Sequence, residues 1–255
     1  MEQFDIKHLK KAKMSNPIVI EGLPGIGNVG KLAADFIIES LKAKKLMEVH
    51  SSSFPHSVFV NEQNLVDLPT VNVYHKKIKN QDFLFIAGDV QPLDERSCYT
   101  FCETVLDALS SYKVKEIITL GGIGLPKIPK NPKVYATANS KKVIQKYKNT
   151  AINNNIFGVV GPIIGVSGLL VGLAGKRNIP AAALLAQTFG HPSYIGIKSA
   201  REIIKILNQR FELGINLQEL DNEINDLEKD TSVKMKSIPP LTPRLNERDR
   251  ISYIG

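Results

Sequence analysis

The sequence predicts an α/β fold, a three-layer sandwich whose mostly parallel mixed sheet carries helices on both faces. Two observations predict it. Apolar runs of strand length, read as buried strands, recur at 16–23, 83–87, 116–120 and 181–188. Segments with apolar residues at helical spacing alternate with them, the pattern that lays helices against both sides of a sheet. With 255 residues, 43% hydrophobic and 23% charged, the chain can build its core without disulfides or metals.

The elements follow in order. The run PIVIEGL within 16–23 is the first strand, and glycines stand after it at 22, 25, 27 and 30. Residues 31–41 carry Leu32, Ala33, Phe36, Ile37, Ile38 and Leu41 at helical spacing. Short strands are expected at 46–49, 58–60 and 71–75, with 61–64 as the turn of a hairpin-like insertion. Residues 83–87 form a strand ending at Gly88-Asp89. Residues 97–111 form a helix with Phe101, Val105, Leu106 and Leu109 inward. The strand at 116–120 runs into Gly121-Gly122-Ile123-Gly124. An irregular loop holds Pro126, Pro129 and Pro132, and 141–148 is a short basic helix. Helix 167–176, strand 181–188 and amphipathic helix 199–211 complete the core. A last helical stretch places Leu217, Leu220, Ile224 and Leu227 on one stripe, expected to pack on the core or on a partner subunit. The expected organisation is one domain over 1–228 and a flexible, basic, proline-containing tail over 229–255.

Composition narrows the function classes. Mean hydropathy is −0.08. The longest apolar stretch, 158–174, is broken by five glycines and a proline, so no membrane helix is expected. Met1 to Ser15 has no apolar run before a cleavage site, and the two cysteines, Cys98 and Cys102, give no disulfide framework. Both features point to a cytoplasmic protein. Two cysteines four residues apart on one helix face lack further ligands, so no metal site is expected. The net charge of +8 permits nucleic-acid binding without demanding it. Seven lysines and no acid lie between Leu125 and Ile156, with Tyr135 and Tyr147 among them. Lacking any RNA- or DNA-binding signature, this segment reads as a solvated face, or a patch that docks an acidic protein surface, rather than a nucleic-acid site.

Three constellations carry candidate chemistry. Gly25-Ile-Gly27-Asn-Val-Gly30 is a GxGxxG between strand and helix; with Gly22 it is a possible ligand loop for a nucleotide, and Glu48 is the acid placed to meet a ribose. The packing alternative is that these glycines only permit a tight strand-to-helix connection. Asp89 and His191 follow strand ends and could meet there as an acid–base pair, but no nucleophile motif accompanies them, and Ser167 and Ser193 have no visible base. The chain closes on Arg250-Ile251-Ser252-Tyr253-Ile254-Gly255, an apolar end on a charged tether, suited to capture by a partner; the alternative is a frayed end or docking on the chain's own core.

Several of these segments together resemble the proteasome assembly chaperone family, specifically archaeal members related to the second assembly chaperone. They are IVIEGLPGIGNVG at 18–30, the strand ending Leu120-Gly121-Gly122, the glycine-rich 158–172 with 178–187, the helix from Ser199 and the acidic stretch from Leu217. The likeness spans about Pro17 to Leu227. It implies a fold like that of phosphorylases and peptidyl hydrolases without their catalytic residues, and no cofactor. It also implies ATP-independent binding of proteasome α subunits, as a homo-oligomer or with a paralogous chaperone. The family's tail motif is hydrophobic, Tyr, any residue. Here Tyr253 is third from the end and follows Ser252, so a looser contact is expected. The residues expected to meet a partner are Ile251, Tyr253, Ile254 and Gly255 of the tail, with Leu217, Leu220, Ile224 and Leu227 as the oligomer or partner stripe. The competing expectation is a nucleotide-binding protein or enzyme built on the Gly22–Gly30 loop.

Overall fold

The computed structural model describes residues 4–10, 12–148, 151–153, 155–218, 220–222 and 224. Eleven strands run in chain order: β1 (Asp5–His8), β2 (Ile18–Gly22), β3 (Lys44–His50), β4 (Phe59–Val60), β5 (Val66–Asp67), β6 (Val71–Ile78), β7 (Gln81–Gly88), β8 (Glu116–Leu125), β9 (Val134–Ala138), β10 (Ile152–Asn153) and β11 (Ala181–Phe189). The helices are α1 (Val29–Ser40), α2 (Glu95–Ser110), α3 (Lys141–Gln145), α4 (Val166–Lys176) and α5 (Ile197–Phe211). Nine strands form one sheet in the order β1-β3-β6-β7-β2-β8-β11-β9-β10, and β4 and β5 pair apart from it as a hairpin.

The sheet is parallel at its centre. β7, β2, β8 and β11 run the same way, and β6 and β9 flank them antiparallel. Side chains of successive strand residues point to opposite faces, so each central strand feeds two cores. Val19, Ile86, Ile117 and Leu185 join one core with Phe101, Val105 and Leu106 of α2 and Leu170 of α4. Ile18, Ile20, Phe85, Ile118 and Leu184 join the other with Ala33 and Ile37 of α1 and Ile203 and Leu207 of α5. The expected three-layer α/β architecture is therefore present. α2 starts where Asp94 accepts a bond from the Ser97 amide at 2.9 Å, and α3 where Ser140 accepts one from Val143 at 3.3 Å.

Four local expectations need correction. The hairpin's second strand is Val66–Asp67 rather than 71–75, which belongs to β6 in the main sheet. Gly121 to Gly124 continue β8 instead of ending it, because the missing side chains admit the turn above: a Cβ on Gly122 would lie 2.2 Å from the Ile26 carbonyl oxygen. Val134–Ala138 is a strand inside the lysine-rich segment. Its Tyr135 and the nearby Tyr147 are buried, so neither offers a stacking face for nucleic acid. β1 is an edge strand of polar residues, DIKH, with no apolar alternation to announce it.

Leu220 and Ile224 are buried in the α1/α5 core, and Leu217 packs against it. Arg201 of α5 holds Asp221 through two bonds of 2.7 and 3.1 Å. Leu227 and the tail residues Ile251, Tyr253, Ile254 and Gly255 lie outside the described residues. Among the described residues no helix is long and apolar enough to cross a membrane.

α1 sits unusually close to the sheet. A Cβ on Gly22 would lie 2.2 Å from the Gly30 carbonyl oxygen, and one on Gly30 would lie 2.3 Å from that of Leu120. Gly172, inside α4, has open space at the same position. Gly22→Ala and Gly30→Ala should each lower stability by about 2–3 kcal/mol through overpacking. Gly172→Ala should raise it by up to about 1 kcal/mol through helix propensity. Urea unfolding midpoints of the three variants measure this contrast.

Candidate functional site at the carboxyl edge of the sheet

β2, β7, β8, β11 and β3 all end on the same edge, since β3 is antiparallel to β6 and β6 to β7. Open α/β sheets gather their ligands at this edge. The connections after these strands and the first turns of α1, α2 and α5 therefore form the candidate site.

Its buried centre is Glu21, next to last in β2 and 0% exposed. Beside it in register stand Ile86 of β7 and Thr119 of β8. Oε1 accepts bonds from the Leu23 amide at 3.1 Å and the Ser167 hydroxyl at 3.4 Å. The Ser167 hydroxyl is equally near the Leu120 carbonyl oxygen, at 3.4 Å. Oε2 and the Thr119 hydroxyl have no partner among the described residues. Burial raises the Glu21 carboxyl to about 7, against the two hydrogen bonds that favour its charge. The Cys102 thiol is pushed far above its ordinary range, chiefly by burial and then by Glu21. A lone acid inside the apolar run PIVIEGL was the one sequence signal for this centre.

Gln91 ties the centre to its surroundings. Its Nε2 donates to the Pro24 carbonyl at 2.6 Å, and its Oε1 accepts from the Val166 amide at 3.1 Å. That amide belongs to the first turn of α4, which has no side-chain cap at Gly165. One amide side chain thus joins the glycine-rich turn to the start of α4.

The glycine-rich turn is filled by the protein itself. Gly27 has φ +62, and a Cβ there would lie 2.7 Å from Thr188 Oγ1. The Gly196 amide donates to the Gly27 carbonyl at 2.8 Å, so the first turn of α5 closes over it. Gly22, Gly27 and Gly30 each have a packing partner, and Gly25 is extended. Glu48 is on β3, three places from β2 in the sheet, and pairs with Lys45 at 3.0 Å. A ribose-binding acid would stand on the strand next to β2.

The expected acid–base pair does not form. Asp89 follows β7 and His191 follows β11, three places apart in the sheet, roughly 14 Å at about 4.8 Å per strand. Asp89 lies 3.7 Å from the Lys31 ammonium, and His191 stacks on Phe189 with ring centroids 5.7 Å apart. Ser193 is exposed and its amide donates to His191 Nδ1 at 3.3 Å. In the lysine-rich segment, Lys146 approaches the buried Glu116 at 3.7 Å, and the Tyr147 hydroxyl donates to that carboxylate at 2.7 Å. That part of the segment is internal structure at the opposite edge.

The surface of the carboxyl edge is polar at the end of β3, where Asp5, His50, Ser51, Ser52, His56 and Ser57 line a cleft of about 670 Å³, and apolar elsewhere along it. A groove of about 530 Å³ runs between the first turns of α2 and α4, lined by Leu93, Cys98, Tyr99, Ile164, Gly168 and Leu169. Leu93, Tyr99 and Ile164 are exposed, as are Ile128 and Ile195 on the connections after β8 and β11. The apolar hairpin β4–β5 stands at the β3–β6 end. Exposed apolar side chains grouped along a groove are the kind of surface that suits contact with another macromolecule.

A family model described as the PAC2 family matches residues 19–232. The chain belongs to the PAC2 family. Solved structures agree with this PAC2 assignment. Pyrococcus furiosus PbaB, described as an archaeal proteasome activator, is 29% identical with a TM-score of 0.85, over 92% of this chain and 100% of that one. P. furiosus PbaA, described as an archaeal homolog of proteasome-assembly chaperone, shares the fold at 22% identity and a TM-score of 0.74, over 91% and 92% of the two chains. The uncharacterized protein MJ0106 of Methanocaldococcus jannaschii is 28% identical over 97% of both chains. The likeness to the proteasome assembly chaperone family read from the sequence is thereby borne out.

The buried carboxyl of the PAC2 chain has a pH signature. Glu21 stays protonated to about pH 7 in the folded chain, against an ordinary 4.5. The folded state holds the extra proton between those values. Stability from the neutral carboxyl is full below about pH 4.5 and is lost as pH rises through 7, by about 3 kcal/mol in all. In Glu21→Gln this component should vanish, so the variant should gain stability relative to the native chain from pH 5 to pH 8. Urea unfolding of both proteins at pH 5, 6.5 and 8 checks the sign.

Proposed function

We propose that this chain is a non-enzymatic, ATP-independent proteasome assembly chaperone that binds proteasome α subunits as a homo-oligomer and touches the client with its C-terminal tail. The observation that carries the proposal is the PAC2 family match over residues 19–232, with the fold of PbaA, described as a homolog of proteasome-assembly chaperone, beside it. The centre of the carboxyl edge supports a non-enzymatic reading. Its serine and carboxylate are neighbours, but the imidazole that would activate the serine stands strands away. Thr188 and the Gly196 amide against Gly27 support ATP independence, because they stand where the backbone would approach a phosphate.

The partner contact is assigned to Ile251, Tyr253, Ile254 and Gly255. The Arg201–Asp221 pair and the burial of Leu220 and Ile224 support this assignment: they fix the root of the segment that leads to the tail. Three residues of the stripe, Leu217, Leu220 and Ile224, are taken up by the chain's own core. A second reading follows from the description of PbaB as an activator: the chain would dock on assembled proteasome and raise its peptidase activity.

Native mass spectrometry with proteasome α subunits from the same source should give a discrete complex, and a chain lacking residues 229–255 should stay folded and lose affinity. Binding that survives the truncation unchanged would contradict the tail assignment. Binding to assembled proteasome alone, with faster peptide cleavage, would select the second reading. Millimolar ATP or NAD should leave the melting temperature unchanged. A ligand at 100 times its Kd would instead stabilise by about 2.7 kcal/mol, and such a gain would favour the nucleotide-binding alternative.

A further inference from the structure

The carboxyl edge carries two apolar patches of opposite charge at its two ends. At the β3–β6 end, residues 58–68 read VFVNEQNLVDL. Val58, Phe59, Val60, Leu65, Val66 and Leu68 are exposed, from 42% to 70%, and the charges are Glu62 and Asp67 with no cation. The hairpin is locally ordered. Phe59 pairs with Asp67 and Val60 with Val66, and the Asn61 side chain accepts from the Gln63 and Leu65 amides at 3.0 Å each. It still leaves most of its apolar side chains in water. A two-stranded hairpin is marginal by itself, so an ordered one with this surface calls for a cover.

At the β8–β11 end, the connection after β8 reads PKIPKNPK at 126–133. Lys127, Lys130 and Lys133 are exposed around Ile128, which is 37% exposed, and the segment has no acid. Ile195, 56% exposed, stands on the neighbouring connection after β11. None of the three lysines has an ion pair among the described residues. The carboxylates bordering Lys130, Glu202 and Asp221, are already held by Arg201. One end of the edge is therefore apolar and acidic, the other apolar and basic; Asp67 accepts a bond from the Asn61 side-chain amide at 3.0 Å, and neither end forms an ion pair among the described residues.

We propose that a second copy of this chain covers the edge, the hairpin 58–68 of each copy lying on the lysine connection 126–133 of the other. The two patches lie on one edge and are separated along the strand order. Two copies facing each other with opposite strand orders bring each hairpin over the partner copy's lysines in a single two-fold arrangement. Reciprocal contacts double the apolar area buried, which is how two modest patches reach the roughly 1,200 Å² that a stable interface needs. Glu62 and Asp67 meeting Lys127, Lys130 and Lys133 set the register. The inference rests on the self-association in the proposed function and places it on this edge rather than on the Leu217–Leu227 stripe.

Charge reversal with reciprocal rescue tests it, read by sedimentation velocity and native mass spectrometry of the full chain. The native protein should self-associate. Glu62→Lys with Asp67→Lys should weaken association at least about tenfold, and so should Lys127→Glu with Lys130→Glu and Lys133→Glu, because each puts like charges opposite. The chain carrying all five substitutions regains opposite charges at both contacts and should associate within about threefold of native, which also shows that the substitutions leave it folded. Phe59→Ser with Val66→Ser should weaken association with an unchanged far-ultraviolet circular dichroism spectrum. An oligomer that ignores all of these variants overturns this interface and leaves self-association standing. A native chain that stays monomeric at about 100 μM overturns both, while α-subunit binding is read separately. Native association retained with α-subunit binding lost in the hairpin variants assigns the face to the client and overturns the proposal.

Discussion

The close approach of α1 to the central strands governs the molecule. Gly22, Gly30 and the Leu120 carbonyl meet at distances that no Cβ would allow. This contact pulls the turn at 23–28 down over β8 and β11. From there Gly27 meets Thr188 and receives the Gly196 amide, while Pro24 receives Gln91. The glycine pattern associated with a cradled phosphate is used here for close packing of helix and turn on the sheet. The space is filled by backbone and by small side chains, and the carboxyl edge is left as surface.

That outcome changes what the edge can do. A small polar ligand needs a cleft with convergent donors. This edge presents a sealed, uncommonly protonated carboxyl beneath an apolar groove and apolar connections. Glu21 is held neutral by desolvation, and its unpartnered Oε2 lies with the Thr119 hydroxyl on one face of the sheet. A buried polar group of this sort costs stability when ionised. The surface chemistry above it suits protein–protein contact.

Much of this was legible in the sequence, for physical reasons that differ by element. Runs such as PIVIEGL and AALLA lie in strands covered on both faces, so composition alone announces them. α2 is legible because Phe101, Val105 and Leu109 repeat at helical spacing over sixteen residues. β1 was hidden because Ile6 alone of its four residues turns toward the core. β9 was hidden because flanking lysines mask a short apolar alternation. The hairpin was assigned the wrong second strand because Val66–Asp67 is short and fully exposed, whereas Val71 begins a long buried strand. The GxGxxG could not be decided from spacing. Its meaning depends on Leu120, Thr188 and Gly196, which only the folded chain brings to it.

The most direct test of this account is hydrogen exchange at the amides of residues 23–31, measured alone, with millimolar ATP and with proteasome α subunits. The packed turn predicts slow exchange that ATP leaves unchanged, with new protection on adding α subunits appearing elsewhere in the chain. Fast exchange of the Gly25–Gly30 amides that ATP slows would contradict it, and would mean that the turn opens to hold a phosphate.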